Sequence, residues 1–368
     1  MKARNVLLGA AASLVCLVAL EVSAAFIFQR AKMSTGKRLV LNAVEHGGRY
    51  TWVRDGLITP HPYLLYVLRP GYEEFGFRQI NSLGYRGKEF THEKPAGTYR
   101  ILCLGGSTTF SFSYIEDPSL MWTALVEAEL HRRYSGRRFE VVNAGLPYAT
   151  SAEILAGYMF RHRYLDPDMV IFHEGGNDGA PLMYENYHPE YTHFRAPGMR
   201  ILTGRIERTL LHSNIFRIFY MRYWRNVPSI YVPEPYDADD LDRTAALERV
   251  QATYPIGFER NVDLIIRTAR ADGARLLLVG FVQAREENLA RNWPWRKGLE
   301  PASALATRKN LAVMDSLAAA HDVPYLSPSE AHFRDEWFLD GVHLNEEGER
   351  AKAAWILSGV VSLLERGP

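Results

Sequence analysis

The chain has 368 residues, a formal net charge of +1 and 47% hydrophobic residues. This length and apolar content are sufficient for one large core with additional segments. Basic and acidic residues are interspersed, so the composition gives no reason to expect a nucleic-acid-binding surface. Of the two cysteines, Cys16 lies in an apolar N-terminal run and Cys103 in a predicted buried strand. We expect no disulfide between them, so cysteine usage does not indicate the compartment.

The first predicted element is an apolar helix at residues 6–28, in which Glu21 is the only charged residue. Its length exceeds the roughly 20 residues that a helix needs to cross a bilayer. An uncleaved membrane anchor is favoured, because the apolar run continues through residues 25–28. A cleaved signal peptide is the alternative, with residues 22–24 as a small-residue cleavage site. Positive charges flank both ends of the helix, yet we expect the rest of the chain outside the cytoplasm, because such a span normally exports the polypeptide on its C-terminal side.

We assign residues 1–38 to the anchor and its flank, and residues 39–97 to a short extension rich in aromatic residues and turn signals. The aromatic side chains could stack on sugar rings or cover a small core, and the second role is the more frequent one. These residues are Tyr63, Tyr66, Tyr72, Phe75, Phe77 and Tyr85.

From residue 98 to the C-terminus, apolar strands alternate with helical patterns. Five strands in such an alternation predict an α/β fold, with a doubly wound parallel five-stranded sheet covered by helices on both faces. The strands are predicted at residues 100–104, 139–143, 169–173, 274–281 and 324–326. The helices are predicted at residues 119–134, 150–162, 245–271, 303–321 and 346–364.

Two segments interrupt this alternation within the predicted domain 98–368, an insertion at residues 180–244 and a second segment at residues 282–302. Both follow strand ends, so we expect them to overlie the carboxyl edge of the sheet and to form the walls of a substrate site. The insertion contains His188 and His193, but no compact third ligand accompanies them. We therefore interpret them as solvated loop histidines and expect no metal site.

Small and polar residues follow the first three predicted strands. Gly105, Gly106 and Ser107 follow the first strand, Gly145 ends the second, and Asn177 closes a Gly-Gly-Asn run after the third. The carboxyl ends of parallel strands meet at one crevice, so these residues converge although they are distant in sequence. Glycine can adopt backbone conformations that other residues resist. We therefore expect Ser107 at a tight turn on the edge of the sheet.

Asp340 and His343 stand three residues apart near the C-terminus, a spacing that lets the carboxylate bind the imidazole. A histidine can activate a serine hydroxyl at neutral pH. Each motif alone has a structural explanation: a strand-to-helix turn at Ser107, a helix cap at Asn177, or a surface hydrogen bond between Asp340 and His343. Their order, strand context and spacing together favour catalysis.

Together these motifs resemble those of the SGNH (GDSL-like) hydrolase family. The resemblance covers residues 98–364 and rests on four blocks in the family's order, at residues 105–109, Gly145, residues 175–178 and residues 340–343. One departure is visible, because glycine occupies position 106, where the namesake motif has aspartate. With the apolar N-terminal helix, the chain resembles a membrane-anchored bacterial-type member of the family.

The resemblance implies a flavodoxin-like strand order and acyl transfer through an acyl-serine intermediate. It implies Ser107 as the nucleophile, His343 as the base and Asp340 as the residue that orients the histidine. The oxyanion donors that it implies are the backbone N–H groups of Ser107 and Gly145 and the side-chain amide of Asn177. It implies no metal and no other cofactor.

We therefore expect a serine esterase that removes a small acyl group, such as O-acetyl, from an acylated envelope glycan or lipid. The expected partners are this substrate and, through the N-terminal helix, the membrane. One alternative is an acyltransferase that passes the acyl group from Ser107 to a sugar hydroxyl, because hydrolysis and transfer share the acyl-enzyme. Another is a catalytically silent binding or assembly protein with the same fold, and the presence of every site residue argues against it.

Overall fold

The computed structural model describes residues 2–30, 57–61, 63–111, 115–194, 209–223, 241–292, 296–328 and 333–366. The chain divides into two compact units. The first comprises Met1–Pro60 and Ala196–Glu234, and the second comprises His61–Arg195 and Pro235–Pro368.

The described residues form both helices and strands. The helices are α1 (Lys2–Arg30), α2 (Ser107–Phe110), α3 (Trp122–Arg133), α4 (Ser151–Phe160), α5 (Asn214–Tyr223), α6 (Arg243–Ala252), α7 (Ile256–Ala271), α8 (Glu300–Ala320) and α9 (Glu346–Glu365). The strands are β1 (Ile58–His61), β2 (Leu65–Leu68), β3 (Glu73–Glu74), β4 (Phe77–Arg78), β5 (Thr98–Gly105), β6 (Arg138–Gly145), β7 (Met169–His173), β8 (Arg275–Val279) and β9 (Tyr325–Leu326).

The first unit contains the apolar helix α1. Its window Leu8–Ile27 has 20 residues and a mean hydropathy of 2.2, so α1 is long and apolar enough to cross a membrane, as signal sequences also are. Within the same unit, the Glu21 carboxylate accepts hydrogen bonds from the Ser213 hydroxyl (2.9 Å) and from the backbone N–H groups of Asn214 and Ile215. Glu21 thus satisfies donors at the N-terminus of α5 that have no acceptor within that helix.

The second unit is built on a five-stranded sheet with the order β6-β5-β7-β8-β9. All four pairings in the sheet are parallel. Numbered from β5, this order is 2-1-3-4-5, so the prediction of a doubly wound, flavodoxin-like sheet is confirmed. In the register, Gly105 pairs with Gly145 on one side and with His173 on the other. The carboxyl ends of these three strands therefore lie side by side.

Helices cover both faces of this sheet. Alternate residues of β5 enter different cores: Leu102 and Leu104 pack with α4, α7 and α8, whereas Ile101 and Cys103 pack with α3 and α9. Each of these four side chains is at most 1% exposed. Burying a large aliphatic side chain contributes about 1.5–3 kcal/mol, so both layers stabilise β5 in the sheet. Cys103 is a free buried thiol.

The predicted helix at residues 245–271 was wrong as a single element. The structure has two helices there, α6 and α7, with Pro255 between them. A proline lacks the N–H that an unbroken helix would need and disfavours the helical conformation of the preceding residue, so α6 ends before it. The other predicted helices and strands of the sheet domain are found with boundaries shifted by one to three residues at most ends.

The aromatic residues of the extension fall into two groups. Three are at most 9% exposed and pack into the second unit, where the Tyr66 hydroxyl donates to the Pro147 carbonyl and the Tyr85 hydroxyl contacts the His162 ring. For these three, a structural role replaces sugar stacking. The buried residues are Tyr66, Tyr72 and Tyr85, and the exposed residues are Tyr63, Phe75 and Phe77.

Candidate active site

Ser107 is the first residue of α2, directly after β5, and its side chain is half-buried at the carboxyl edge of the sheet. The predicted reason for the preceding glycines was wrong, since neither Gly105 nor Gly106 has a positive φ. A side chain at position 105 is excluded because there is no room for it. A Cβ on Gly105 would lie 2.1 Å from Thr109 Oγ1 and 2.3 Å from the His173 carbonyl oxygen. The close approach of β5 to its neighbours therefore requires glycine.

The structure brings Ser107, His343 and Asp340 into one hydrogen-bonded chain. His343 Nδ1 lies 2.6 Å from Asp340 Oδ2, and His343 Nε2 lies 2.8 Å from Ser107 Oγ. A carboxylate can only accept, so Nδ1 carries the proton and Nε2 accepts from the serine hydroxyl. This is the arrangement that makes a serine hydroxyl nucleophilic.

Asp340 is fully buried and is held in a tight loop. Its Oδ1 accepts hydrogen bonds from the backbone N–H groups of Val342 (3.1 Å) and His343 (2.9 Å). Gly341 between them has φ +94°, a conformation that favours glycine. Burial acts to raise the pKa of Asp340, but the hydrogen bonds from His343 and Val342 outweigh it and hold the pKa below the ordinary value. Asp340 is therefore ionised and can orient the imidazole.

Asn177 lies at the start of a short turn after β7. Its side-chain Nδ2 donates to the Ala149 carbonyl oxygen (2.8 Å), and its backbone N–H donates to Glu174 Oε1 (2.9 Å). A helix cap would require the residue at the N-cap position to accept from the following backbone, but Gly176 holds that position and the Asn177 side chain donates to Ala149. The amide nitrogen carries two hydrogens, so one can bind Ala149 while the other faces a ligand.

Gly145 ends β6 in register with Gly105, but its predicted role as an oxyanion donor does not fit the geometry. Its backbone N–H donates to Asn143 Oδ1 (2.9 Å), so this donor is already bound. A Cβ on Gly145 would lie 2.2 Å from the backbone nitrogen of Phe110, so this glycine is required for the packing of α2 on β6. The orientation of the Asn143 side chain determines whether the Gly145 N–H is available as a donor, and the sequence does not indicate this orientation.

Tyr148 and the role of Asp178 were not predicted from the sequence. Tyr148, in the turn after β6, has φ +66°, which is uncommon for a residue with a side chain and is concentrated at functional sites. Asp178 is fully buried and accepts from the backbone N–H and hydroxyl of Ser151 and from the Tyr191 hydroxyl. It therefore ties the turn of Asn177 to the first residue of α4. Burial raises the pKa of Asp178 to about 6.

The two histidines of the insertion have different surroundings. His188 is exposed, as the sequence interpretation expects. His193 is half-buried, and its two ring nitrogens contact the His188 backbone N–H and the Pro181 carbonyl oxygen. Its interpretation as a solvated histidine was therefore wrong. Within the described ranges, no group of three or more His, Cys, Asp or Glu side chains could hold a metal ion. The segment of Trp293 and Trp295 lies outside the described residues.

The sequence model of the GDSL-like lipase/acylhydrolase family matches residues 103–351, which is more than half of the chain. The chain belongs to this family. The match begins in β5, ahead of Ser107, and extends beyond His343 into α9. Membership in the GDSL-like lipase/acylhydrolase family supports an enzyme that hydrolyses ester bonds. None of the curated proteins compared with the chain matches it.

Several solved structures are similar to this family member. A lipase/acylhydrolase from Enterococcus faecalis is 16% identical, with 72% of this chain and 96% of that chain covered and a TM-score of 0.42. A GDSL-like lipase from Bacteroides thetaiotaomicron is 14% identical, with coverages of 72% and 88% and a TM-score of 0.39. A catalytic mutant of an acetylxylan esterase from Geobacillus stearothermophilus is 15% identical, with coverages of 71% and 94% and a TM-score of 0.41.

Proposed function

We propose that this protein is a serine esterase in which Ser107 is the nucleophile, His343 the general base and Asp340 the orienting carboxylate. The observation that carries the proposal is the continuous chain of two hydrogen bonds, 2.6 Å from Asp340 to His343 and 2.8 Å from His343 to Ser107. The side chains of Asp340 and His343 are at most 6% exposed, so water competes little for these bonds.

In the proposed mechanism, Ser107 Oγ attacks the acyl carbonyl carbon while its proton moves to His343 Nε2. The tetrahedral intermediate collapses when the imidazolium gives that proton to the leaving alcohol, and the acyl group stays on Ser107. A water molecule, deprotonated by His343, then attacks the acyl-serine. The carboxylic acid departs and the serine hydroxyl is restored. The Asp340 carboxylate stabilises the positive imidazolium in both half-reactions.

We propose two donors of this chain for the negative oxygen of the tetrahedral intermediate. The backbone N–H of Ser107 lies in the first turn of α2, where it has no acceptor within the helix. The second hydrogen of Asn177 Nδ2 remains after the bond to Ala149. Because a preorganised donor of this kind is worth about 10²–10³ in turnover, these two would account for much of the acceleration. Gly145 is left out because its N–H binds Asn143.

The acyl group that we propose is small, such as O-acetyl, carried on an envelope glycan or lipid. Ser107 is half-buried at the edge of the sheet, so a bulky carrier could bring a short acyl group to it without entering the protein. Transfer of the acyl group to a sugar hydroxyl is the alternative outcome, because an acceptor alcohol could take the place of water at the acyl-serine.

We also propose that α1 remains attached as a membrane anchor, with the second unit outside the cytoplasm. The contacts of Glu21 support this proposal, because a chain cleaved after Ala24 would lose the acceptor of the Ser213 and Asn214 donors. Glu21 lies six residues before Ile27, the end of the apolar window. At 1.5 Å per residue this is about 9 Å, so the carboxylate would lie inside the hydrocarbon, where an unpartnered charge is costly. Partners for such a group reduce its cost in a bilayer.

The test of the enzymatic proposal compares the wild-type protein with Ser107→Ala. We expect a serine-reactive fluorophosphonate to label only the wild type. We also expect the wild type to release acetate from an aryl acetate and from at least one substrate in a panel of acetylated glycans and acyl lipids. Adding acceptor sugars separates hydrolysis from transfer, because transfer yields an acylated sugar. A wild type that is neither labelled nor able to release acyl groups would contradict the proposal in favour of a silent binding protein.

A further inference from the structure

Glu174 organises the turn that carries Asn177. It follows the last residue of β7 and is fully buried. One of its carboxylate oxygens, Oε1, accepts from three consecutive backbone N–H groups, those of Gly175 (3.0 Å), Gly176 (3.0 Å) and Asn177 (2.9 Å). Three charge-assisted bonds to one oxygen hold the backbone in a single curved path. The position of Asn177 Nδ2 therefore depends on the position of the Glu174 carboxylate.

The other carboxylate oxygen of Glu174 faces the nucleophile segment. The backbone N–H of Gly106 also acts on the Glu174 carboxylate and favours its charged form. A Cβ on Gly106 would lie 2.3 Å from Glu174 Oε2 and 2.7 Å from Asn177 Nδ2. The φ of Gly106 is −88°, which residues with side chains also adopt. Gly106 is therefore required for space, and the group that fills this space is the Glu174 carboxylate.

Position 106 is also where the chain departs from the namesake motif of its family, which has aspartate before the catalytic serine. A side chain at this position would project directly into the volume that Glu174 occupies. Two carboxylates cannot share this volume, both for steric reasons and because like charges repel at this distance. In this structure the volume beside Gly106 is therefore occupied by the carboxylate at position 174.

We propose that Glu174 is a positioning residue of the oxyanion site, and that Gly106 and Glu174 form a reciprocal pair in which the carboxylate next to the nucleophile comes from the end of β7 instead of from position 106. The inference rests on the proposed function, because it assigns Asn177 as an oxyanion donor. It goes further in naming the group that holds Asn177 and in predicting that the carboxylate can be returned to position 106.

The test is a cycle of variants: Glu174→Ala, Gly106→Asp and the double variant Gly106→Asp/Glu174→Ala. We expect Glu174→Ala to lower kcat on an aryl acetate by about 10- to 10²-fold, the range expected for a donor displaced by about 1 Å, with KM nearly unchanged. Gly106→Asp alone should lower both the melting temperature and kcat, because its carboxylate collides with Glu174. The double variant should exceed Gly106→Asp in melting temperature and in kcat, because removing Glu174 removes the shortest contact that a side chain at position 106 would make.

Two further variants separate positioning from general loss of a buried carboxylate. Glu174→Gln keeps a carbonyl oxygen for the three N–H groups, so we expect it to retain more kcat than Glu174→Ala. Glu140, at the opposite end of the sheet, is a buried carboxylate paired with Arg100 at 2.8 Å. We expect Glu140→Gln to lower the melting temperature while kcat stays at the wild-type value.

Each outcome of this experiment bears on the proposal. A double variant no better than Gly106→Asp, or unable to fold, would overturn the reciprocal pair. An unchanged kcat in Glu174→Ala would overturn the positioning role. Equal activity of the wild type and Ser107→Ala would instead contradict the proposed function. In that case the melting temperatures of the cycle still decide whether positions 106 and 174 share one volume.

Discussion

Lys352 Nζ donates a 2.7 Å hydrogen bond to the carbonyl oxygen of Thr108, the residue after the nucleophile. Lys352 lies on α9, which follows the segment of Asp340 and His343. On the same helix, Glu349 accepts from the Ser111 hydroxyl (2.6 Å). Helix α9 is therefore hydrogen-bonded to the segment that carries the nucleophile and directly follows the segment that carries the base.

We expect Lys352→Met to destabilise the protein and to lower kcat. Burial lowers the pKa of Lys352 to about 8, and the nearby Glu349 carboxylate partly offsets this effect. Replacing Lys352 leaves the Thr108 carbonyl oxygen without this donor and removes one of the cations near Glu349. An unsatisfied buried group costs about 1–3 kcal/mol, which thermal or urea unfolding can measure. The exposed Arg350 on the same helix gives the control Arg350→Met, which should change neither quantity.

Because Ser107, His343 and Asp340 form one hydrogen-bonded chain, we expect the losses of turnover in single variants not to add up in the double variant. Ser107→Ala should reduce turnover of an aryl acetate by about 10⁴- to 10⁶-fold, because residues that act as one unit fail together. His343→Ala should have an effect of similar size. The double variant should be nearly as active as either single variant. Multiplication of the two losses would show that Ser107 and His343 act separately.

Much of this site was predictable from sequence because two local patterns indicate which residues come together. Strand ends bring Ser107 and Asn177 to one edge of a parallel sheet, and a spacing of three residues lets Asp340 bind His343. The break at Pro255 was missed by the prediction of one helix at residues 245–271, although proline at that position interrupts a helix.

Other parts of the site depend on contacts between distant residues, which no local pattern carries. Asn143 turns its side chain toward Gly145 and occupies the predicted donor. Glu174 stands between an apolar strand and two glycines, where its sequence context gives no sign that it fills the space beside Gly106. The left-handed conformation of Tyr148 was unreadable for a related reason, because such a conformation is usually indicated by glycine or asparagine.

The buried carboxylate of Glu174 predicts a pH dependence of stability. Burial and the charge of Asp178 raise its pKa from the ordinary 4.5 to about 7. The native state therefore binds the proton more tightly than the unfolded state. The stability that this group contributes is fully present below pH 4.5 and is lost as the pH rises through 7. We expect melting temperatures between these values to fall more steeply for the wild type than for Glu174→Gln.

The other charged groups around Glu174 set the controls for this measurement. Asp178, with a pKa raised to about 6, acts in the same direction, so Asp178→Asn should also flatten the profile. Lys352 titrates above the window, with a pKa of about 8. Asp340 acts in the opposite direction, because its pKa lies below the ordinary 3.8 and its stabilisation is lost only at lower pH. Parallel profiles for the wild type and Glu174→Gln would contradict the prediction.

If α1 is a membrane anchor, the full chain and a chain without α1 should differ in whether they sediment with membranes. The full chain should sediment with membranes, because Leu8–Ile27 is long and apolar enough to span them. A chain that begins near Lys37 should remain in the supernatant and keep its esterase activity. Mass spectrometry of the N-terminal peptide provides the check, since a mature terminus near Ala25 would identify a cleaved signal peptide. Protease added outside intact cells should degrade the second unit if it is extracytoplasmic.

Asn177→Ala distinguishes an oxyanion donor from a residue that only holds a turn. Loss of the bond to the Ala149 carbonyl oxygen should cost about 0.5–1.5 kcal/mol of stability, the usual net value of one hydrogen bond. Loss of an oxyanion donor should reduce turnover by about 10²- to 10³-fold, or about 3–4 kcal/mol of transition-state stabilisation. We expect both effects together, with the kinetic loss much the larger. The measurements are a thermal melt and steady-state kinetics on a simple aryl acetate. A destabilised variant with full turnover would remove Asn177 from the site, because the bond to Ala149 would then be its whole contribution.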